Sequence, residues 1–183
     1  MSNKLWIIIV IVIIGAIGSF VILGGGAAQD NTLPSSRSET QSNKLFGKLS
    51  ALSFKDYNGN TVTLSDFSGK PLVINSWAVW CPFCRKELSD FAAVQREVGD
   101  SVVFIAIDRV ESLKIAKQFT DEIGITNEMV FLLDSSDSFY RNIGGFSMPE
   151  TIFVDTDGNI KIHKRGPMDE EEIRNKVSEA FGI

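Results

Sequence analysis

Strand and helix patterns alternate along the chain from about residue 44 to its end, and this alternation limits the folds that it can adopt. Short apolar runs predict strands over Leu49–Phe54, Thr61–Leu64, Leu72–Trp77, Val102–Ile107, Met129–Leu133, Thr151–Val154 and Ile160–His163. Apolar residues at helical spacing predict helices over Glu87–Val98, around Ile115–Ile123 and over Asp169–Phe181, and a short helix is expected before the last hairpin. Parallel strands joined by helices, with antiparallel hairpins at Tyr57–Asn60 and Asp155–Gly158, predict a mixed α/β fold.

An uncharged apolar run of 18 residues, Trp6–Leu23, precedes this region. As a helix it would span about 27 Å, which is enough to cross the hydrocarbon core of a bilayer. We therefore predict that residues 1–28 form an N-terminal transmembrane helix that anchors the protein. A signal sequence cleaved at the small residues Gly26–Ala28 and a buried core helix are the two alternatives. Lys4 before the run predicts that the short N-terminus stays in the cytoplasm and that the rest is exported.

The residues after the apolar run divide into a linker and one domain. Residues 29–43 contain Leu33 as their only large apolar residue and predict a flexible linker. Residues 44–183 predict the globular domain, since about 140 residues are enough for one hydrophobic core. The formal net charge is −5, which argues against a nucleic-acid-binding protein because such proteins need a basic face.

The two cysteines, Cys81 and Cys84, are three residues apart and follow the predicted strand Leu72–Trp77. This arrangement favours a redox-active pair, because unpaired N–H groups at a helix start stabilise a thiolate. Pro82 would then occupy the first helical position. A purely structural disulfide would close too short a loop to add much stability. A zinc site would need about four ligands, whereas the chain has two cysteines and a single histidine, His163. We expect Cys81 to be exposed and Cys84 to be shielded.

Three segments of the sequence match a known pattern in combination. They are Leu64–Pro71, Val73–Glu87 with Cys81-Pro82-Phe83-Cys84 at its centre, and Met148–Asp155 followed by Gly158. Together they resemble the membrane-anchored, thioredoxin-like thiol-disulfide oxidoreductases of the TlpA/ResA/DsbE type, over roughly Leu45–Gly182. The resemblance implies a thioredoxin-like fold, with a mixed central sheet flanked by helices. It also implies a cis bond at Met148-Pro149 and a catalytic domain on the extracytoplasmic side of the cell membrane.

The resemblance implies a site whose catalytic residues are Cys81, Cys84, Pro149 and Glu87, and whose substrate contacts are Trp80, Pro82, Phe83 and Met148. Asn75 stands where classical thioredoxins keep a buried acid, so Glu87, one helical turn after Cys84, is the candidate for proton transfer. The alternative for Glu87 is a solvated side chain paired with a basic neighbour. We expect solvated charges at Arg85 and Lys86, a core residue at Trp77, and no role for His163 on the last hairpin.

The predicted function is that of an extracytoplasmic thiol-disulfide oxidoreductase, which reduces disulfides in exported proteins such as apocytochrome c. A membrane or extracytoplasmic thiol would supply the electrons, and no nucleotide, flavin or metal is implied. Two alternatives share the fold. A peroxiredoxin-like peroxidase would have threonine or serine where this chain has Ala78. A Sco-like copper chaperone would have three residues between its cysteines and a histidine near the site, whereas two residues separate Cys81 and Cys84.

Overall fold

The computed structural model describes residues 46–183. The predicted transmembrane segment, residues 1–28, and the predicted linker, residues 29–43, lie outside the described residues. Within the described part, no helix has the length and apolar character needed to cross a membrane.

Residues 46–183 form a mixed sheet of seven strands with helices packed on its faces, which confirms the predicted α/β class and element order. The strands are β1 (Ser53–Asp56), β2 (Thr61–Thr63), β3 (Leu72–Trp77), β4 (Val103–Arg109), β5 (Val130–Asp134), β6 (Glu150–Val154) and β7 (Ile160–Arg165). The helices are α1 (Pro82–Val98), α2 (Leu113–Glu122), α3 (Ser138–Asn142) and α4 (Glu170–Phe181). Residues 46–50 are also helical.

Strand β3 lies inside the sheet, whose order is β2-β1-β5-β4-β3-β6-β7, and all six of its residues are buried. It runs parallel to β4 and antiparallel to β6. Its side chains alternate between two layers: Leu72 and Ile74 pack with Phe139 of α3, whereas Trp77 packs with residues of α1 and α2. In register, Trp77 is paired with Asp108 of β4, and the preceding residue of β3 is paired with the first residue of β6. Three chain segments therefore meet at the carboxyl end of β3.

The predicted start of β1 is wrong. The strand begins at Ser53 rather than Leu49, because residues 46–50 are helical and bury Leu49 in the core beside the sheet. An apolar residue can be buried from a helix or from a strand, and a short run does not distinguish the two. The limits of the other strands differ from the predicted ones by at most two residues, and β3 matches in full.

The helices differ from their predicted forms in two respects. Helix α1 begins at Pro82, the first helical position expected from the cysteine motif, and so extends five residues before the apolar pattern predicted over Glu87–Val98. Helix α2 confirms the helix predicted from Ile115, Phe119 and Ile123, but its inner face is different. Helix α2 buries Ala116, Phe119 and Thr120. Ile115 is exposed, and Ile123 lies just beyond the helix end.

We predict that Gln95 contributes to stability by joining the end of α1 to the start of β4. Its Nε2 donates to the carbonyl oxygens of Gly99 (2.7 Å) and Val102 (3.2 Å), and its Oε1 accepts the N–H of Phe104 (2.9 Å). Gln95→Ala should lower the free energy of unfolding by about 1–3 kcal/mol, because partly buried backbone groups lose their partners. Gln118→Ala, which removes one exposed bond to Glu122, should cost less than about 0.5 kcal/mol. Equal losses for the two variants in urea unfolding would contradict the prediction.

Candidate active site

A disulfide joins Cys81 and Cys84 at the start of α1, with the two Cα atoms 5.3 Å apart. Cys81 is the N-cap residue of the helix, and its Sγ accepts the backbone N–H of Cys84 at 3.1 Å. Pro82 occupies the first helical position, as predicted, where its missing N–H leaves no bond unmade. After reduction, the same unpaired amides and the helix dipole would stabilise a thiolate on Cys81.

The disulfide itself is buried, although its surroundings are open to solvent. The expectation of an exposed Cys81 is wrong for this oxidised state, since only 3% of the residue is exposed; Cys84, at 0%, is shielded as predicted. Large exposed surfaces next to the pair belong instead to Trp80 and Phe83, each 60% exposed. Arg85 and Lys86 are exposed and Trp77 is fully buried, as predicted, and Pro82 is also exposed.

The predicted second half of the site, Met148-Pro149, lies directly before β6. The peptide bond between the two residues is cis, as the resemblance implied. Pro149 is buried, and Met148 is half-buried against the apolar cluster that contains Cys81 and Cys84. The sheet therefore brings together two segments that are more than sixty residues apart in the sequence.

Glu150, which the sequence did not single out, holds the loop before the cis bond. Its Oε1 accepts the N–H groups of Phe146 (2.6 Å) and Ser147 (2.7 Å), and its Oε2 lies 2.7 Å from Nε2 of His163. Burial acts to raise the pKa of this carboxyl, but these hydrogen bonds outweigh it, and the pKa lies below its ordinary value. His163, expected to have no role, thus contacts a buried carboxylate from β7.

Glu87 is buried inside the domain rather than solvated, so the alternative considered for it is wrong. Its Oε1 accepts Nδ2 of Asn75 at 2.7 Å, and its Oε2 accepts the backbone N–H of Met168 at 3.0 Å. Asn75 also donates to Oγ1 of Thr151 at 3.0 Å. Burial raises the pKa of Glu87 to about 8, despite the lowering effect of its two hydrogen bonds. A carboxyl with this pKa can gain or lose a proton near neutral pH.

Two acidic residues, Asp108 and Glu111, lie at the carboxyl end of β4, where the sequence predicted no functional residue. Asp108 is fully buried, and its Oδ1 accepts the N–H of Glu111 at 3.0 Å. Oε2 of Glu111 in turn accepts the N–H of Val79 at 2.7 Å, in the turn that leads to Cys81. Burial, with the neighbouring Glu111 carboxylate, raises the pKa of Asp108 above its ordinary range. The carboxyl end of a parallel strand next to the cysteines was the sequence signal that could have identified this pair.

Arg109 follows Asp108 and is a further site residue that the sequence did not reveal. It pairs with Asp137, and its guanidinium group lies over the rings of Tyr140 and Trp80. Among residues 46–183, no three or more His, Cys, Asp and Glu side chains are grouped so that they could hold a metal ion.

A helix-capping disulfide after a buried central strand, close to a cis X-Pro bond, defines the class of thioredoxin-fold thiol-disulfide oxidoreductases. The Redoxin family model matches residues 28–181, and the chain belongs to this family. The thioredoxin-like protein YneN of Bacillus subtilis is 29% identical over 68% of this chain and 74% of its own length. The thiol:disulfide interchange protein DsbE of Allochromatium vinosum is 32% identical over 63% of this chain. The thiol-disulfide oxidoreductase ResA of Oceanobacillus iheyensis is 31% identical over 58% of this chain.

The matches to DsbE and ResA span 61% and 55% of the lengths of those two proteins, which is less than two thirds of either.

Solved structures agree on the fold. MTB DsbF superposes with a TM-score of 0.66 at 26% identity, over 73% of this chain and 96% of its own. The exposed lipoprotein thioredoxin Etrx1 of Streptococcus pneumoniae superposes with a TM-score of 0.59 at 25% identity, over 70% of this chain and 98% of its own. The thioredoxin-like fold and the oxidoreductase class expected from the sequence are thereby confirmed.

We predict that Glu87→Gln makes the oxidised protein less sensitive to pH. The pKa of Glu87 is about 8 in the folded chain and near 4.5 when unfolded, so the folded chain binds this proton more tightly. The resulting stabilisation of the folded state is complete below about pH 4.5 and is lost as pH rises through about 8. Between about pH 5 and 8 the wild type should therefore lose roughly 3–5 kcal/mol of unfolding free energy relative to the variant. Urea unfolding at several pH values measures this difference.

The control is Glu97→Gln, on the exposed side of the same helix, where a hydrogen bond from Arg174 lowers the pKa of Glu97. This variant should keep nearly the same pH dependence as the wild type. Parallel stability curves for wild type and Glu87→Gln would show that Glu87 is not a protonated buried acid at neutral pH.

Proposed function

We propose that this chain reduces disulfides in exported proteins, with Cys81 as the nucleophile and Cys84 as the resolving cysteine. The observation that carries the proposal is the disulfide at the start of α1, where the sulfur of Cys81 accepts the N–H of Cys84. That position favours the thiolate form of Cys81 over that of Cys84, because Cys81 is the N-cap residue and the unpaired N–H groups of the first helical turn point toward its sulfur. A thiolate is the form of cysteine that attacks disulfides.

The exchange takes two steps and needs only the two cysteines. The Cys81 thiolate attacks one sulfur of the substrate disulfide, which forms a mixed disulfide and releases the other substrate sulfur as a thiolate. Cys84 then loses its proton and attacks Sγ of Cys81, which forms the Cys81–Cys84 disulfide and releases the second substrate thiolate. The substrate gains two electrons and the enzyme loses two. A dithiol protein, on the outer side of the membrane or within it, returns them by the reverse exchange.

Glu87 is proposed to handle the proton of Cys84. It lies three residues further along α1 than Cys84, which is about one helical turn. Asn75 of β3 donates a hydrogen bond to Glu87 but cannot itself take up or release a proton. A pKa of about 8 suits a group that must accept a proton at one step and release it at another. The hydrogen bonds from Asn75 and Met168 keep the carboxyl in one orientation.

The substrate chain is proposed to lie between the cysteine turn and the loop before β6. The backbone of Met148, presented by the cis bond to Pro149, would pair with the substrate, while the exposed side chains of Trp80, Pro82 and Phe83 would contact it. The exposed aromatic surface beside a buried disulfide supports this arrangement, because a partner must cover that surface to reach Cys81.

An extracytoplasmic, single-pass location is proposed from the apolar run Trp6–Leu23 and from the relatives. Etrx1 is described as an exposed lipoprotein, and DsbE as a thiol:disulfide interchange protein. Residues 1–28 would anchor the chain in the cell membrane and residues 29–43 would tether the domain outside it. Apocytochrome c is the proposed example of an exported substrate, and an acidic domain is not expected to bind nucleic acid.

We predict that Cys84→Ser accumulates mixed disulfides with partner proteins, because Cys81 can still attack but nothing resolves the adduct. Cys81→Ser should trap almost nothing. Non-reducing gels of membranes from cells that express each variant would measure the adducts, with the double Cys81→Ser/Cys84→Ser variant as background. Trapping by Cys81→Ser alone, or equal trapping by both single variants, would reject the assignment of roles.

The proposed location predicts that the full-length protein sediments with membranes and resists extraction by alkaline carbonate. A protease added outside spheroplasts should degrade the domain, since it would face outward. Recovery of the intact protein in the cytosolic fraction would overturn the location and leave the redox assignment untouched.

A further inference from the structure

Arg109, the last residue of β4, lies over two aromatic rings, one in the cysteine turn and one in helix α3. The carbon atom of its guanidinium group is 3.5 Å from the ring centroid of Tyr140 and 5.9 Å from that of Trp80. Both distances are within the range of cation–π attraction. Trp80 directly precedes Cys81, and Tyr140 belongs to α3, so one side chain touches both the cysteine turn and a distant helix.

Asp137 holds the guanidinium group in this position. Nε and Nη2 of Arg109 donate to the two carboxylate oxygens of Asp137, each at 2.7 Å, and the two side chains are less than one-fifth exposed. Two parallel bonds orient a planar guanidinium group as well as attract it. We refer to Trp80, Arg109, Asp137 and Tyr140 as the arginine clamp.

Backbone strain is concentrated at the same place. Within residues 46–183, the two non-glycine residues with positive φ are Asp137, at 55°, and Val110, at 65°, which directly follows Arg109. The left-handed region is unfavourable for a β-branched side chain, and Val110 is exposed and therefore gains little from packing. Strained backbone of this kind is found preferentially at functional sites.

Tyr140 connects the clamp to the loop before the cis bond. Its hydroxyl donates to the carbonyl oxygen of Ser147 at 3.0 Å, and its own carbonyl oxygen accepts the N–H of Gly145 at 2.8 Å. A Cβ atom at Gly145 would overlap the Tyr140 ring, so glycine is required for this close approach. Movement of Tyr140 would therefore displace the residues that lead to Met148.

We propose that Arg109 is a positioning residue for disulfide exchange with protein substrates, because it holds Trp80 and the Met148 loop at a constant separation. The inference rests on the proposed function, in which these two segments contact the substrate chain. An extended polypeptide that touches both segments binds more tightly when their separation is set beforehand. A small disulfide that reaches only Cys81 gains nothing from the clamp.

The test compares the pre-reduced full-length wild type with three variants in single-turnover reactions. Arg109→Met removes the clamp, whereas Gly145→Ala disturbs the Tyr140 ring and leaves every charge in place. Arg85→Met is the matched control, because Arg85 is also near the cysteines and also lies over an aromatic ring, that of Phe119 at 5.0 Å. The probes are insulin, as a protein disulfide, and Ellman's reagent, as a small one.

Both clamp variants should raise the half-saturating insulin concentration by about tenfold and leave the limiting rate within about twofold, as expected for lost binding rather than lost chemistry. Their rates with Ellman's reagent should stay within about twofold of wild type, and Arg85→Met should match wild type with both probes. If Arg109→Met does not fold, Gly145→Ala decides alone.

The inference would be overturned if the half-saturating insulin concentration were the same in Arg109→Met and Gly145→Ala as in the wild type. It would also be overturned if these variants lost rate with Ellman's reagent by the same factor as with insulin, or if Arg85→Met showed the same rise in half-saturating insulin concentration. A wild type that reacts with neither probe would instead refute the proposed function itself.

Discussion

The backbone N–H groups at the start of α1 have no partners within the helix, and the sulfur of Cys81 accepts the one donated by Cys84. This contact exists because α1 begins within a few residues of β3, whose last residue, Trp77, is packed against Phe119 and Phe131. A strand buried along its whole length determines where the helix can start, and the helix start determines where the sulfur lies. The redox site is therefore a consequence of how the central strand is buried.

Three buried carboxylates around this point have different environments and therefore different proton affinities. Glu150 receives two backbone N–H bonds and a histidine contact, and its pKa is lowered. Glu87 receives an amide and one backbone N–H, which do not offset its burial, and its pKa is raised to about 8. Burial, together with a carboxylate neighbour, also raises the pKa of Asp108. Burial raises the proton affinity of all three carboxyls, and only at Glu150 do the hydrogen-bonding partners outweigh it, which separates a carboxylate that holds a loop from one that can exchange a proton.

Much of the fold was predictable because its signals are local. The limits of β3, the hairpin turns and the spacing of Cys81 and Cys84 all follow from residues close together in the sequence, and the cis bond at Pro149 followed from the family resemblance. The strand predicted at Leu49 was wrong because burial alone does not distinguish a helical turn from a strand. The pairs Arg109–Asp137 and Glu150–His163 could not be predicted, since their members lie 28 and 13 residues apart and meet only after the sheet has formed. No periodic pattern marks such contacts.

Whether Cys81 and Cys84 form a redox pair is decided by an equilibrium titration. The full-length protein is equilibrated with mixtures of oxidised and reduced dithiothreitol, free thiols are alkylated, and the number of labels on each molecule is determined by mass spectrometry. A redox pair gives one reversible two-electron transition, in which both cysteines are labelled together or not at all. A disulfide that stays intact over the whole range, or cysteines that become labelled independently of each other, would contradict it.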